Sequence, residues 1–445
     1  MKPRIHPGVA GAIGNVLEWY DFGLYGLLAP VLAKVFFPAR SGWVGLLAVY
    51  GGFAAGFAMR PLGAWVLGAW GDRRGRKVLL TASVALMGIA TVAVGVLPSY
   101  AAFGVWAPAL LIATRLFQGF SVGGEFVGSV TYLVESATPQ RRGWAGSIAN
   151  LGSTGGMLLA AGAAALVATW ARPGQLVAWV WRMPFLAGGV LALAAFLLRR
   201  RLPDIGPAPQ SGRDEQPPLT AALRDAPRTM LLVTLFCSGY GIVDYLTMVY
   251  LPTFAHGFGQ LSQALVLRVN TAGQALALLV VPLAGWLSDW ALRRRTLLAA
   301  AFICEALAAW SLFALAGSGS GGFWTAQLLF AAMLAVIMGA GPAMLAEQFP
   351  AAYRVTGHAV AFNVGIGMAG GTAPLVAVAF IHASGTAMAA AVYLGFAAVL
   401  AAGSILLLPD RSREPLLEAQ RLDWIQPGGL LGGIEAEENP DASGK

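Results

Sequence analysis

The sequence predicts an all-α membrane protein of twelve transmembrane helices in two pseudo-symmetric six-helix bundles. Three observations predict it. The chain of 445 residues is 57% hydrophobic and only 11% charged, with a mean hydropathy of +0.68, a balance foreign to soluble globular proteins. Its apolar residues gather into runs close to the roughly 20 that cross a bilayer as a helix. Two polar loops then recur at nearly one period, about half the chain apart.

The first loop is Gly68-Ala-Trp-Gly-Asp72-Arg73-Arg74-Gly75-Arg76-Lys77, echoed 217 positions later by Gly285-Trp-Leu-Ser-Asp289-Trp-Ala-Leu-Arg293-Arg294-Arg295. In both copies Gly stands four residues before Asp. The second is Glu135-Ser-Ala-Thr-Pro139-Gln-Arg141-Arg142-Gly143, echoed at an offset of 212 by Glu347-Gln-Phe-Pro350-Ala-Ala-Tyr-Arg354-Val-Thr-Gly357. Parallel repeats of this kind are the trace of secondary transporters that enclose a substrate path between two bundles.

Taken in order, the spans fall near 10–37, 43–70, 78–97, 102–134, 144–170 and 178–198, then 229–255, 264–288, 296–316, 322–347, 357–382 and 386–408. The first run is too long for the apolar core of a signal peptide and carries no cleavage site. Residues 1–198 thus form an N-terminal bundle and 229–408 a C-terminal one. Between them 199–228, basic at its start and holding Pro203, Pro207, Pro209, Pro217 and Pro218, reads as a linker. The segment 409–445 reads as a disordered tail. Lys and Arg set the orientation: twenty-two fall on the side of the termini and four on the other, which places both termini of a multi-pass membrane protein in the cytoplasm.

The net charge of +8 belongs to these short loops and implies no nucleic acid. Cys237 and Cys304 lie inside apolar runs, so neither a disulfide framework nor a thiolate metal site is expected. The histidines lack metal-ligand spacing. No G-x-x-x-x-G-K-[ST] loop is present for an ATP-driven pump, and no nucleophile or metal cluster for an enzyme. No cofactor is expected, and the partners are a small-molecule substrate, protons and lipid around a monomer.

Charges inside the spans need a reason. Glu18 and Asp21 share one helical face; two carboxyls there either hold a proton between them or pair with Arg60 and Arg115. Glu125 and Asp244 are the next proton candidates, while Arg268 and Glu305, nearer span ends, read as snorkelling. Arg115 meets either an anionic substrate or a first-span carboxylate, since Glu125 lies about 15 Å away along the helix. Asn15, Tyr20, Tyr25 and Gln118 are further substrate candidates, and the aromatics around Glu18 could hold a quaternary ammonium by cation–π contact. Gly119/Gly123 and Gly124/Gly128 are small-xxx-small pairs for close helix approach. Gly68, Asp72, Arg73, Gly75, Arg76, Glu135, Arg142 and Asp289 read as a gate latch, against the alternative of a basic loop that only sets topology.

These stretches, with Gly14-Asn15-Val-Leu-Glu18-Trp19-Tyr20-Asp21-Phe22, Arg60-Pro61-Leu62-Gly63 and Arg115-Leu-Phe-Gln118-Gly119 through Glu125, resemble the major facilitator superfamily, and within it the metabolite:proton symporters. The likeness is dense in the first half and looser in the second, through Tyr250-Leu251-Pro252 and Phe349-Pro350 to Asn363. It implies alternating access and proton-driven uptake of a small carboxylate-bearing metabolite such as a di- or tricarboxylate or 2-oxoglutarate. The alternative is a proline/betaine-type zwitterionic osmolyte. The tail lacks the heptads of osmosensory members, the sugar-porter signatures are missing, and the truncated basic run after Asp289 implies a weaker second latch.

Overall fold

The computed structural model describes residues 7–38, 42–63, 66, 76–121, 125–200, 218–351 and 353–417. Among these residues every regular element is helical. Nine of the helices are long and apolar enough to cross a membrane: Gly42–Gly63, Pro139–Trp170, Leu176–Arg200, Pro227–Gly257, Gln263–Trp290, Arg294–Gly317, Ser320–Ala346, Arg354–Ser384 and Ala389–Leu407.

The first predicted span is broken into α1 (Pro7–Leu27) and α2 (Ala29–Phe36). Pro30 lacks an N–H and restarts the helix after Leu28, whose carbonyl takes bonds from both Val31 and Leu32. The second span begins with α3 (Gly42–Ala58) and continues through a helical turn to Gly63. Its irregularity at Met59 precedes Pro61. There follow α4 (Arg76–Val96), α5 (Trp106–Ser121), α6 (Glu125–Ser136), α7 (Arg142–Trp170) and α8 (Arg182–Arg200).

Beyond 201–217 the second half comprises α9 (Pro218–Asp225), α10 (Pro227–Asp244), a π-helical segment Tyr245–Tyr250, α11 (Leu251–Gly257), α12 (Gln263–Trp290), α13 (Arg294–Gly317) and α14 (Ser320–Ala346). It closes with α15 (Arg354–Phe362), a second π segment Asn363–Gly370, α16 (Gly371–Ser384) and α17 (Ala389–Leu407). The described part of the linker therefore differs from a plain polar connector: Arg199 and Arg200 finish α8, and α9 is a short helix packed on α10 and α15. Likewise 409–417 is no loose tail, because it returns along the basic end of the bundle.

Within the first half α1 packs on α7 and α8, α3 on α5, and α4 on α8; within the second, α12 and α13 pack on α14, and α10 and α13 on α17. The halves meet along α7 against α12 and α14, and along α3 against α16. Hydrocarbon gives no hydrophobic drive for helix pairing, so close packing must supply it. Gly119 supplies it at α3: a Cβ there would stand 1.7 Å from the Gly56 carbonyl. Gly143 and Gly285 do the same between halves, since a Cβ on Gly143 would lie 2.4 Å from the Gly285 carbonyl. Gly128, expected as a contact glycine, faces open space instead.

The π segment before α11 has a local cause. Pro252 cannot donate to Met248, and the wider turn frees two carbonyls. Asn270 Nδ2 of α12 donates to the Met248 carbonyl at 2.9 Å, and Gln327 Nε2 of α14 to that of Thr247 at 3.2 Å.

Candidate functional site

Four charged side chains are buried in the middle of the first half. The spacing of Glu18 and Asp21 puts them on one side of α1, and each has its own arginine. Arg60 Nη1 lies 3.0 Å from Glu18 Oε1, and Arg115 Nη1 lies 3.1 Å from Asp21 Oδ2, with Nη2 donating to Oδ1 at 3.4 Å. Asp21 Oδ1 also accepts from Gln118 Nε2 at 2.6 Å and from the Thr91 hydroxyl at 2.9 Å. Both Asp21 and Arg115 are fully buried. The two carboxyls do not meet each other as a proton-sharing pair; each is set against a guanidinium.

The other expected substrate residues are also engaged within this half. Asn15 donates to Ser153 Oγ at 2.9 Å. The Tyr20 hydroxyl donates to the Pro184 carbonyl at 2.6 Å, and that of Tyr25 to the Val49 carbonyl at 3.0 Å. Arg115 lies over the Tyr25 ring, 4.3 Å from its centroid.

At mid-chain depth the halves touch through rings. Trp19 stacks on Tyr245 with centroids 6.4 Å apart, and Tyr245 stands edge-on to Phe53 and Phe57. Beside it Asp244 is buried, and its carboxylate makes no ion pair or hydrogen bond among the described residues. Glu305, expected to snorkel, does the opposite: it is fully buried in the middle of α13 with both oxygens unpartnered. Its place in mid-helix, eleven residues past Arg294, puts any span end out of reach. Arg268 is exposed and fits the snorkelling expectation.

The end carrying the basic loops is tied across the halves. Asp289 accepts from the first N–H groups of α7, from Gly143 at 2.7 Å and Trp144 at 2.8 Å, where the helix dipole favours a negative charge. It also pairs with Arg294, whose other nitrogen lies 2.6 Å from Glu347. Arg142 reaches Glu347 at 3.7 Å and donates to the Glu414 carbonyl. Arg354 pairs with Glu135 and donates to the carbonyls of Phe349 and Leu417. Burial pushes the Glu347 carboxyl above its ordinary range, and Arg294 and Arg142 pull against that rise. The shortened basic run after Asp289 thus implied a weak latch, yet Asp289 is held by three groups.

Of the first copy, Gly68, Asp72, Arg73 and Gly75 lie outside the described residues. Arg76 opens α4 and Glu125 opens α6, but the side chains of both lie outside the described part. At the opposite end the Tyr50 and Thr253 hydroxyls bond at 3.0 Å, Gln263 donates to the Leu27 carbonyl at 3.4 Å, and Trp43 stacks on His382. The halves therefore touch at both ends in this conformation.

Sequence reasoning passed over Asn270, Gln327, Trp19 as a bridging ring, Tyr245 and Arg294. The amides carried a readable signal, being polar among apolar residues. Tyr245 carried none, because an aromatic in a span is ordinarily packing.

Residues 11–326 match the Major Facilitator Superfamily, and the chain belongs to that family: it is a multi-pass membrane transporter. It is 33% identical to the shikimate transporter of Escherichia coli K12 over 417 residues, 90% of this chain and 93% of that one. It is 32% identical to the citrate-proton symporter of Klebsiella pneumoniae, over 92% of each chain. Among solved structures it resembles a D-xylose-proton symporter with a TM-score of 0.73 at 19% identity, covering 92% of this chain and 99% of that one.

Proposed function

We propose that the chain is a proton-coupled symporter that takes up a small carboxylate-bearing metabolite, such as a di- or tricarboxylate or 2-oxoglutarate, with both termini cytoplasmic. The observation that carries this reading is the pair of buried arginine–carboxylate contacts, Glu18–Arg60 and Asp21–Arg115. A substrate carboxylate that binds one of these guanidiniums, in place of the acid or on a free edge beside it, draws the positive charge away from that acid and so releases it. The released acid, in surroundings of low dielectric, must then accept a proton or find another cation. Binding and protonation are coupled by that exchange. Asp244, without a counter-charge beside the Trp19–Tyr245 contact, is a further place for the proton.

The ring of ion pairs around Asp289, Glu347 and Arg354 would close the basic end while the opposite end loads, with Asp72 acting alike in the first copy. Relatives of similar identity carry names as different as a shikimate transporter and a proline/betaine transporter, so substrate is the question to test. Proteoliposomes holding an inside-alkaline pH gradient should accumulate one of labelled 2-oxoglutarate, citrate or shikimate, and a protonophore should abolish accumulation. Accumulation of proline or betaine alone would favour the osmolyte reading. Uptake that equilibrates regardless of the gradient would refute coupling.

A further inference from the structure

We propose that Arg60, Tyr245 and Trp19 together form the carboxylate-receiving site, with Arg115 serving as a structural counter-charge to Asp21. This rests on the carboxylate reading above and names the groups that would carry it out.

The two arginines differ in what they have left to offer. Arg115 sets both terminal nitrogens against Asp21, Nη2 in a hydrogen bond at 3.4 Å and Nη1 at ion-pair distance, 3.1 Å; Gln118 and Thr91 also hold that acid, and of the Arg115 fork only Nε has neither kind of contact. Arg60 touches Glu18 through Nη1 alone. Its Nε and Nη2 are buried and have no hydrogen-bond partner among the described residues. The same is true of the Tyr245 hydroxyl and of Trp19 Nε1. Arg60, Tyr245 and Trp19 are 5%, 1% and 8% exposed, so water does not readily stand in for a partner. Buried polar groups are almost always bonded, and each exception calls for an explanation.

These exceptions adjoin one another. The Arg60 guanidinium lies 4.2 Å from the Phe57 ring centroid and 4.6 Å from that of Phe22. Phe57 stands edge-on to Tyr245 at 5.4 Å, and Tyr245 stacks on Trp19. All four unpartnered groups can donate: two N–H groups of one fork, one O–H and one indole N–H. An ionised carboxylate only accepts, offers about four lone-pair positions, and fits a guanidinium edge with two parallel bonds. Trp19 and Arg60 belong to the first half and Tyr245 to the second, so a carboxylate held by all three would draw the halves together. The rings of Phe22, Phe53 and Phe57 would then flank the carbon skeleton of the metabolite.

The test compares free acid with methyl ester. Binding of shikimate, 2-oxoglutarate and citrate, each against its methyl ester, is measured by titration calorimetry on the full chain and on Arg60→Lys, Tyr245→Phe and Trp19→Phe. The full chain should prefer at least one acid over its ester by about tenfold or more. Arg60→Lys keeps a charge for Glu18 but loses the fork. In each variant the acid preference should shrink several-fold while the ester binds within about twofold of its original affinity. Tyr245→Phe and Trp19→Phe remove donors that bond nothing in the structure, so they remain informative if Arg60→Lys folds poorly. A parallel loss for acid and ester would assign the three residues to packing and overturn the proposal, as would variants that keep the full preference. An unmodified chain with no acid preference in any pair would instead defeat the carboxylate reading on which the site depends.

Discussion

Replacing Asp289 by Asn should unlock the basic end. Its carboxylate caps α7 through the N–H groups of Gly143 and Trp144 while pairing with Arg294. The two N–H bonds belong to one half and the acid to the other. Hydrogen bonds to a charged group contribute about 1.5–3 kcal/mol each. The amide retains one acceptor oxygen and turns its NH2 toward a backbone donor, so it loses one bond outright and the charge on the other. Arg294 keeps Glu347, which limits the further cost. A net shift of about 2–4 kcal/mol against the closed basic end follows, or roughly 30- to 1,000-fold in the ratio of closed to open. Spin labels on Gln140 and Leu292, exposed positions on either side of this seam, would report it after the exposed Cys304 is replaced. The expected result is a second, longer distance population in Asp289→Asn, with transport slowed and substrate binding retained. An unchanged distance distribution at matched transport rate would refute the latch.

Two further outcomes can be checked. Breaking the Asp21–Arg115 pair on one side leaves a buried uncompensated charge, so Arg115→Gln or Asp21→Asn alone should cost about 3–5 kcal/mol of thermal stability in detergent, and the double change should recover most of it; equal losses in single and double variants would contradict the pairing. Asp410 accepts from the Arg295 N–H at the start of α13 and from Ser412. Burial would raise its carboxyl, but those hydrogen bonds and the field of Arg294 outweigh it and hold the group below the ordinary carboxylate range. The lowered value means that its stabilisation is present above the usual carboxylate range and is lost as pH falls through the folded-state value. Asp410→Ala should therefore destabilise by about 1 kcal/mol at neutral pH, a difference that shrinks in acid; a difference that grows in acid would reverse the sign.

The identity of the spans was legible in the residues because a bilayer demands long apolar helices of one length, and the described helices follow the predicted runs closely. The paired loops were legible for a similar reason: Asp289 and Glu347 repeat at fixed distances from glycine and proline, whatever they later touch. The acid pair of α1 was visible too, since i and i+3 share a face in any helix. Which base answers which acid was not visible. The choice of Arg60 for Glu18 and Arg115 for Asp21 depends on how α3 and α5 are set against α1, and that setting is made by Gly56 and Gly119 meeting without side chains. The stranded Glu305 and the ordered turn at 409–417 escaped for the same reason, being products of neighbours distant in the chain.

What the sequence determined by itself was therefore everything that periodicity and solvent dictate: helices, their order along the chain, and the polar residues that hydrocarbon makes conspicuous. Tertiary structure alone decided the partners. It closed Arg115 on Asp21, left one edge of Arg60 unclaimed, and brought Tyr245, an unremarked aromatic of the second half, against Trp19 of the first. The physical reason is that hydrogen bonds and ion pairs act over about 3 Å, and contact at that range between residues two hundred positions apart is set by packing, which no local pattern encodes.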